Sequence, residues 1–115
     1  MKGTTRFLTH EEIPHRLTTL LGQLKAEHWL SNPSFDYFVE RSAYYFAELN
    51  YIHPFREGNG RTTREFMRLL FLKNGYEVDW SAVSAEDLLD AMELSVYDTR
   101  KLQDILQKCL TEKQG

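Results

Sequence analysis

The sequence predicts a mainly α domain: a bundle of about five helices with a short β segment near its N-terminus. Three observations carry that expectation. Apolar residues keep a period near 3.6 in two stretches, Phe35 to Ile52 and again after Gly60. Between them lies HPFREGNGR, His53 to Arg61, a run too rich in glycine for helix or strand, with Pro54 disfavouring the α conformation at His53. A chain of 115 residues with 42% hydrophobic and 27% charged content builds one hydrophobic core and is not disordered.

In chain order, GTTRF (Gly3 to Phe7) is short and Thr-rich and reads as a strand. Ile13, Leu17, Leu20, Leu21 and Leu24 then set a helix over about 11–26, with Pro14 in its first turn. SNPS, Ser31 to Ser34, is a break that ends in a capping residue. The next helix spans about 34–52 and buries Phe35, Phe38, Val39, Ser42, Tyr45, Phe46, Leu49 and Ile52. Beyond the glycine loop a helix covers about 60–74, with Asn74-Gly75 as its stop. Phe66, Leu69, Leu70 and Lys73 form its stripe, broadened by Met67 and Phe71, so burial on more than one side is expected. Tyr76 to Ser81 reads as a connector. Ser84 caps a helix through Met92, and Asp98 caps a last one through Leu110.

Several classes of function are excluded early. No apolar run reaches membrane-spanning length, and MKGTTRFLTHEE has no apolar signal-peptide core. Cys109 is the only cysteine and sits among Ile105, Leu106 and Leu110, which reads as a small core residue in a reducing compartment. A cytoplasmic location is expected, with secretion as an effector the other route. The net charge of −3 gives no global attraction to nucleic acid or anionic membranes. Yet Arg56, Arg61, Arg64 and Arg68 crowd one short stretch, which suits a compact anion rather than a polyanion.

The loop supplies matching chemistry. Gly58, Asn59 and Gly60 stand before a helix whose first N–H groups are unpaired and carry its positive dipole end. Glycines let a phosphate approach that backbone, and Asn59 either adds an amide donor or tolerates a left-handed turn. Arg61 and Arg64, three apart, share a helix face, and their guanidinium forks suit phosphate oxygens. The bland alternative for the pair is a solvated face with ion pairs. Arg68 continues the row, pairs with Glu65 or faces solvent. Glu57 would repel phosphate unless a hard cation such as Mg²⁺ lies between them; otherwise it is a surface acid balancing Arg56 or Arg61. His53 at a helix end is a capping or core residue, or a base that takes a hydroxyl proton near neutral pH. Phe55 anchors the loop.

HPFREGNGRTTR resembles the signature of Fic-domain proteins, His-x-Phe-x-(Asp/Glu)-Gly-Asn-Gly-Arg-x-x-Arg, without a mismatch. FAELNYIHPF, REFMRLLFLKNGY and KGTTRF are similar to the family's motif helices and flap, so the resemblance spans nearly all of residues 1–115. It implies a Fic-like helical bundle with the motif loop between two central helices. It also implies an Mg²⁺-dependent transfer of AMP from ATP to a Ser, Thr or Tyr hydroxyl of a target protein. Under that resemblance His53 is the general base and Glu57 the Mg²⁺ ligand. Gly58, Asn59 and Gly60 form the anion hole, and Arg61 and Arg64 hold the outer phosphates. Thr4, Thr5 and Arg6 belong to the flap that clamps the target by strand addition.

The family's first flap strand and upstream helices have no counterpart in this sequence. No Ser or Thr has Glu four residues on, so the family's inhibitory pattern is also absent. Inhibition is therefore expected from an antitoxin-like protein or a missing helix, and the uncovered face from a partner or a second copy. The competing readings are a piece that binds nucleotide or a partner without turnover, and transfer or removal of another phosphate-containing group. A zinc site at HEEIPH fails because His10 and His15, about 500° apart on a helix, do not share a face. Tyr37, Tyr44 and Tyr51 share a helix side and read as a packing seam rather than a base-stacking platform.

Overall fold

The computed structural model describes residues 12–31, 34–52 and 59–112. Five helices and a two-stranded sheet follow in order: α1 (Glu12–Ala26), α2 (Phe35–Ile52), α3 (Asn59–Lys73), β1 (Tyr76–Val78), α4 (Ala85–Leu94), α5 (Arg100–Cys109) and β2 (Leu110–Glu112). The mainly α expectation holds, and each expected helix is present within a few residues of its expected bounds. The β segment expected at Gly3 to Phe7 lies outside the described residues.

The central element is α2, in contact with α1, α3 and α5. Its expected face is buried from Phe38 to Ile52, with Ala43 and Ala47 added, small residues where neighbouring helices can approach. Phe35 departs from expectation: it stands 37% exposed at the first turn, its ring 5.4 Å from Tyr76. Phe38, near the start of α2, meets Phe71, near the end of α3, with ring centroids 6.0 Å apart. The two helices are thus antiparallel, and the end of α2 lies beside the start of α3.

The buried face of α3 differs from the expected stripe. Thr63, Met67, Leu70 and Phe71 are buried, Phe66 is half-buried, and Leu69 and Lys73 are exposed, Leu69 by 53%. Residues 63, 67, 70 and 71 share one side at about 100° per residue, and the rings of Phe38 and Trp80 pack against Phe71 on it. Asn74 and Gly75 end the helix as expected, with Gly75 at φ 88°.

The connector expected at Tyr76 to Ser81 is a correction. Tyr76, Glu77 and Val78 pair antiparallel with Glu112, Thr111 and Leu110, and a short 3₁₀ turn follows at Trp80–Ala82. Asp79 heads that turn by accepting from the Ser81 amide at 3.0 Å. Ser84 caps α4 as expected, its hydroxyl accepting from the Asp87 amide at 3.0 Å, and the helix runs past Met92 to Leu94. Asp98 accepts from the Arg100 amide at 2.9 Å, although the residue flanking α5 is Thr99. Leu110 opens β2 rather than ending α5. Cys109 is buried as expected, and burial pushes its thiol above the ordinary range, so it is an inert core residue.

Candidate functional site

The hairpin geometry brings the end of α2 and the start of α3, which flank the motif loop in sequence, to one end of the bundle. Ile52, 1% exposed, fixes the last turn of α2 in the core, and α3 resumes at Asn59. His53, Phe55, Glu57 and Gly58 lie outside the described residues, as do Thr4, Thr5 and Arg6. Asn59 and Gly60 are the first two residues of α3, so the helix's N-terminal amides, which have no intrahelical acceptor, lie at this end.

The rotation of α3 decides where its arginines face. With Thr63, Met67, Leu70 and Phe71 turned to the core, Arg61, Arg64 and Arg68 share another side. Arg61 is exposed, and Arg64 and Arg68 are half-buried. The three are not equivalent. Arg68 donates through Nε to both oxygens of Glu65 at 3.1 Å, which holds that carboxyl below its ordinary value. Among the described residues neither Arg61 nor Arg64 has a carboxylate partner. The last two motif arginines thus stand one helical turn apart, beside helix-terminal amides, with no carboxylate partner among the described residues. That arrangement is suited to an anion with more than one charged group.

The opposite end of the hairpin holds a cluster that sequence spacing did not reveal. Glu27 accepts from Arg41 Nε at 3.1 Å and Nη2 at 2.5 Å, and from the Tyr45 hydroxyl at 2.5 Å. The Arg41 bonds hold the Glu27 carboxyl below its ordinary range against the opposing effect of burial. Glu27 in turn raises the Arg41 guanidinium, and burial, then Glu27, raises the Tyr45 phenol. The Arg41 guanidinium also lies 4.6 Å from the Tyr44 ring centre. Tyr44 and Tyr51 pack on the core and Tyr37 is 48% exposed, so the tyrosine row is largely a seam.

This cluster borders an unusual turn. His28, Trp29 and Leu30 have φ of 57°, 56° and 64°, left-handed values that cost a non-glycine residue about 1–2 kcal/mol each. Burial of Leu30 and the contact of Trp29 with the core offset the strain. So does Asn74 Nδ2, which donates to the Trp29 carbonyl and the Leu70 carbonyl at 3.0 Å each. The far end therefore serves the fold. His15 is exposed, and among the described residues no group of three His, Cys, Asp or Glu side chains gathers as a metal site.

Comparisons with known proteins agree with the motif. The profile of the Fic/DOC family matches residues 2–71. The chain is 35% identical over 113 residues to the protein adenylyltransferase VbhT of Bartonella schoenbuchensis, covering 97% of this chain and 24% of that protein. It is 34% identical over 112 residues to the probable protein adenylyltransferase Fic of Salmonella typhimurium, covering 96% and 56%. It therefore spans well under two thirds of either relative. The crystal structure of the VirB-translocated effector BepC of Bartonella tribocorum, with bound AMPPNP, superposes with TM-score 0.85 at 29% identity, covering 94% of this chain and 52% of that one. The N-terminal Fic domain of a putative cell filamentation protein of Bartonella quintana, with bound ADP, gives 0.87 at 29% identity, covering 94% and 51%.

Proposed function

The chain belongs to the Fic/DOC family, and from that premise we propose that it carries the core of an adenylyltransferase, moving AMP from ATP to a Ser, Thr or Tyr hydroxyl of a target protein. The observation that carries the reading is the pair Arg61 and Arg64, one turn apart at the start of α3 and without carboxylate partners among the described residues. The adenine nucleotides bound in the solved relatives, AMPPNP and ADP, support ATP as the donor.

The target oxygen attacks the α-phosphorus, the bond to the bridging β-phosphate oxygen breaks, and pyrophosphate leaves. His53 takes the proton of the attacking hydroxyl. Gly58, Asn59 and Gly60 present amides to the phosphate oxygens, while Arg61 and Arg64 hold the outer phosphates in line. One carboxylate beside phosphate oxygens is a donor set that suits Mg²⁺, so Glu57 would hold that ion, which supplies neutralisation of the charge gathering on the leaving group. Thr4, Thr5 and Arg6 would hold the target segment as an added strand.

A second reading is a unit that binds nucleotide without turnover, supported by the nucleotides bound in the solved relatives. In either case an antitoxin-like protein or an inhibitory helix supplies control, and the site operates in a cytoplasm. That cytoplasm is the producing cell's own, or a recipient cell's if the chain is an effector as BepC is. No described helix is long and apolar enough to cross a membrane.

The test is titration with ATP–Mg²⁺ and with AMP, beside transfer of labelled AMP to proteins of a lysate. Arg64→Ala should weaken ATP several-fold more than AMP, because only ATP has the outer phosphates. Equal losses would overturn the assignment of Arg64, and ATP binding with no labelling would favour the second reading.

A further inference from the structure

Far from the phosphate end in sequence, α4 carries a surface of opposite character. Leu88, Ala91, Met92 and the following Ser95 face the core, and α4 packs on α5. The outer side carries Leu89, 57% exposed, Val96, 43%, and Tyr97, 72%. Helical backbone continues beyond Leu94: Ser95 has φ −62° and ψ −16°, and the Asp98 amide donates to the Leu94 carbonyl at 2.9 Å. Leu89, Glu93 and Val96 therefore follow one another at i, i+4 and i+7, a single ridge two turns long.

The charge along the segment that carries this ridge has one sign. Every charged residue between Asn74 and Thr99 is acidic. Glu86, Asp90 and Glu93 are exposed and have no ion-pair partner among the described residues. Within that stretch Asp98 alone has a cation among the described residues, Arg100, whereas elsewhere Glu27 is neutralised by Arg41 and Glu65 by Arg68. Single exposed apolar side chains need no explanation, but two on one ridge, set among carboxylates with no ion-pair partner among the described residues, specify their complement.

We propose that the outer ridge of α4 docks a basic amphipathic helix of a partner protein. Apolar side chains one or two turns apart on that helix cover Leu89 and Val96, and its Lys or Arg side chains meet Glu86, Asp90 and Glu93. Charge argues against a second copy in a two-fold arrangement, since the same face on both chains sets acid against acid. The surface is independent of the nucleotide chemistry, so it stands or falls apart from that reading.

The probe is a 14-residue Leu/Lys amphipathic peptide, with a Leu/Glu peptide of the same apolar pattern as control, titrated into the full chain with amide NMR shifts as readout. Shifts are expected to centre on residues 86–97, with Kd rising about tenfold or more between 50 and 300 mM salt, as for a rim of several charges. Leu89→Ser with Val96→Ser should weaken the Leu/Lys peptide about tenfold. So should Glu86→Gln, Asp90→Asn and Glu93→Gln together, which preserve shape and change only charge. The Leu/Glu peptide should not bind. Equal binding of both peptides, shifts centred elsewhere, or undiminished binding by the substituted chains would overturn the proposal. Sedimentation is the companion measurement: self-association abolished by Leu89→Ser would assign the ridge to a second copy and overturn it too.

Discussion

The two ends of the α2–α3 hairpin are built to different rules. At one end Phe38 and Phe71 interlock, Asn74 ties α3 to the left-handed turn, and Glu27 neutralises Arg41 while accepting from Tyr45. At the other, Arg61 and Arg64 stand without carboxylate partners among the described residues, beside helix-terminal amides. Satisfied polar groups and close packing stabilise a fold but leave nothing to offer a ligand. Unneutralised cations at the surface contribute little to stability and keep their charge for an anion. Under the proposed function stability and chemistry are divided between the ends, and substitutions at each should report on different quantities.

The largest effect is expected at the packed end. Phe71 is fully buried, between the rings of Phe38 at 6.0 Å and Trp80 at 6.3 Å. Phe71→Ala should cost about 3–5 kcal/mol in urea unfolding, from lost burial and the cavity left behind. A cost below about 1 kcal/mol would mean that the end is loosely packed.

At the open end the expected loss is in rate. His53→Ala should lower AMP transfer by about 10²-fold, or about 2.7 kcal/mol of barrier, while ATP affinity stays within a few-fold. Transfer at the unsubstituted rate would remove His53 from the chemistry. Glu57→Ala should differ by losing Mg²⁺-dependent binding along with rate.

Much of this division could be read from the sequence, and the reasons are local. A period near 3.6 names the α2 face because every neighbour of α2 sits on one broad side. Ser84 and Asn74-Gly75 are self-contained signals within one turn. What escaped is long-range. Tyr76–Val78 finds its partner at Leu110–Glu112, and strands of three residues have too few side chains to alternate visibly. The Glu27 cluster joins a residue just past α1 to residues 14 and 18 positions further on in α2. No glycine announces the left-handed turn at His28–Leu30, which burial and Asn74 hold from outside. The stripe on α3 was misjudged because Leu69 is apolar and exposed, so composition alone misstated the rotation. At the motif the order of residue types carried the family resemblance, and of the alternatives the sequence left open for Arg68 the fold selects the pair with Glu65.

A smaller effect tests the packed end by pH. Glu27 has a carboxyl held below its ordinary range by Arg41, so it stabilises the fold above that range, and the contribution is lost as pH falls through the lowered value. Glu27→Ala should cost about 1–3 kcal/mol at pH 7, the magnitude of hydrogen bonds to a charged group. Asp98, held at about 2 by Arg100, and Glu65 lose their own contributions in the same acid direction. The informative quantity is therefore the difference between the unsubstituted chain and Glu27→Ala. That difference should be constant from pH 7 down to about pH 5 and shrink below it. A gap that persists at pH 2 would mean that Glu27 acts by packing, not charge.

The smallest effect is the sharpest test of the open end. Arg68 lies in the same row as Arg61 and Arg64, so charge alone would count it as a third phosphate ligand. Its guanidinium is already engaged by both oxygens of Glu65, three residues away on an exposed helix face. To reach a phosphate it would have to leave that carboxylate or bring its negative charge along. Arg68→Ala should therefore leave the urea midpoint unchanged and alter ATP affinity by no more than about twofold, as for most exposed ion pairs. Glu65→Gln supplies the converse: it frees Arg68, and if the row extends to the nucleotide, ATP should then bind more tightly. A loss with Arg68→Ala as large as with Arg64→Ala would make the site one of three arginines and move its boundary a full turn along α3. An unchanged affinity in both variants would place that boundary between Arg64 and Arg68, where the ion pair begins.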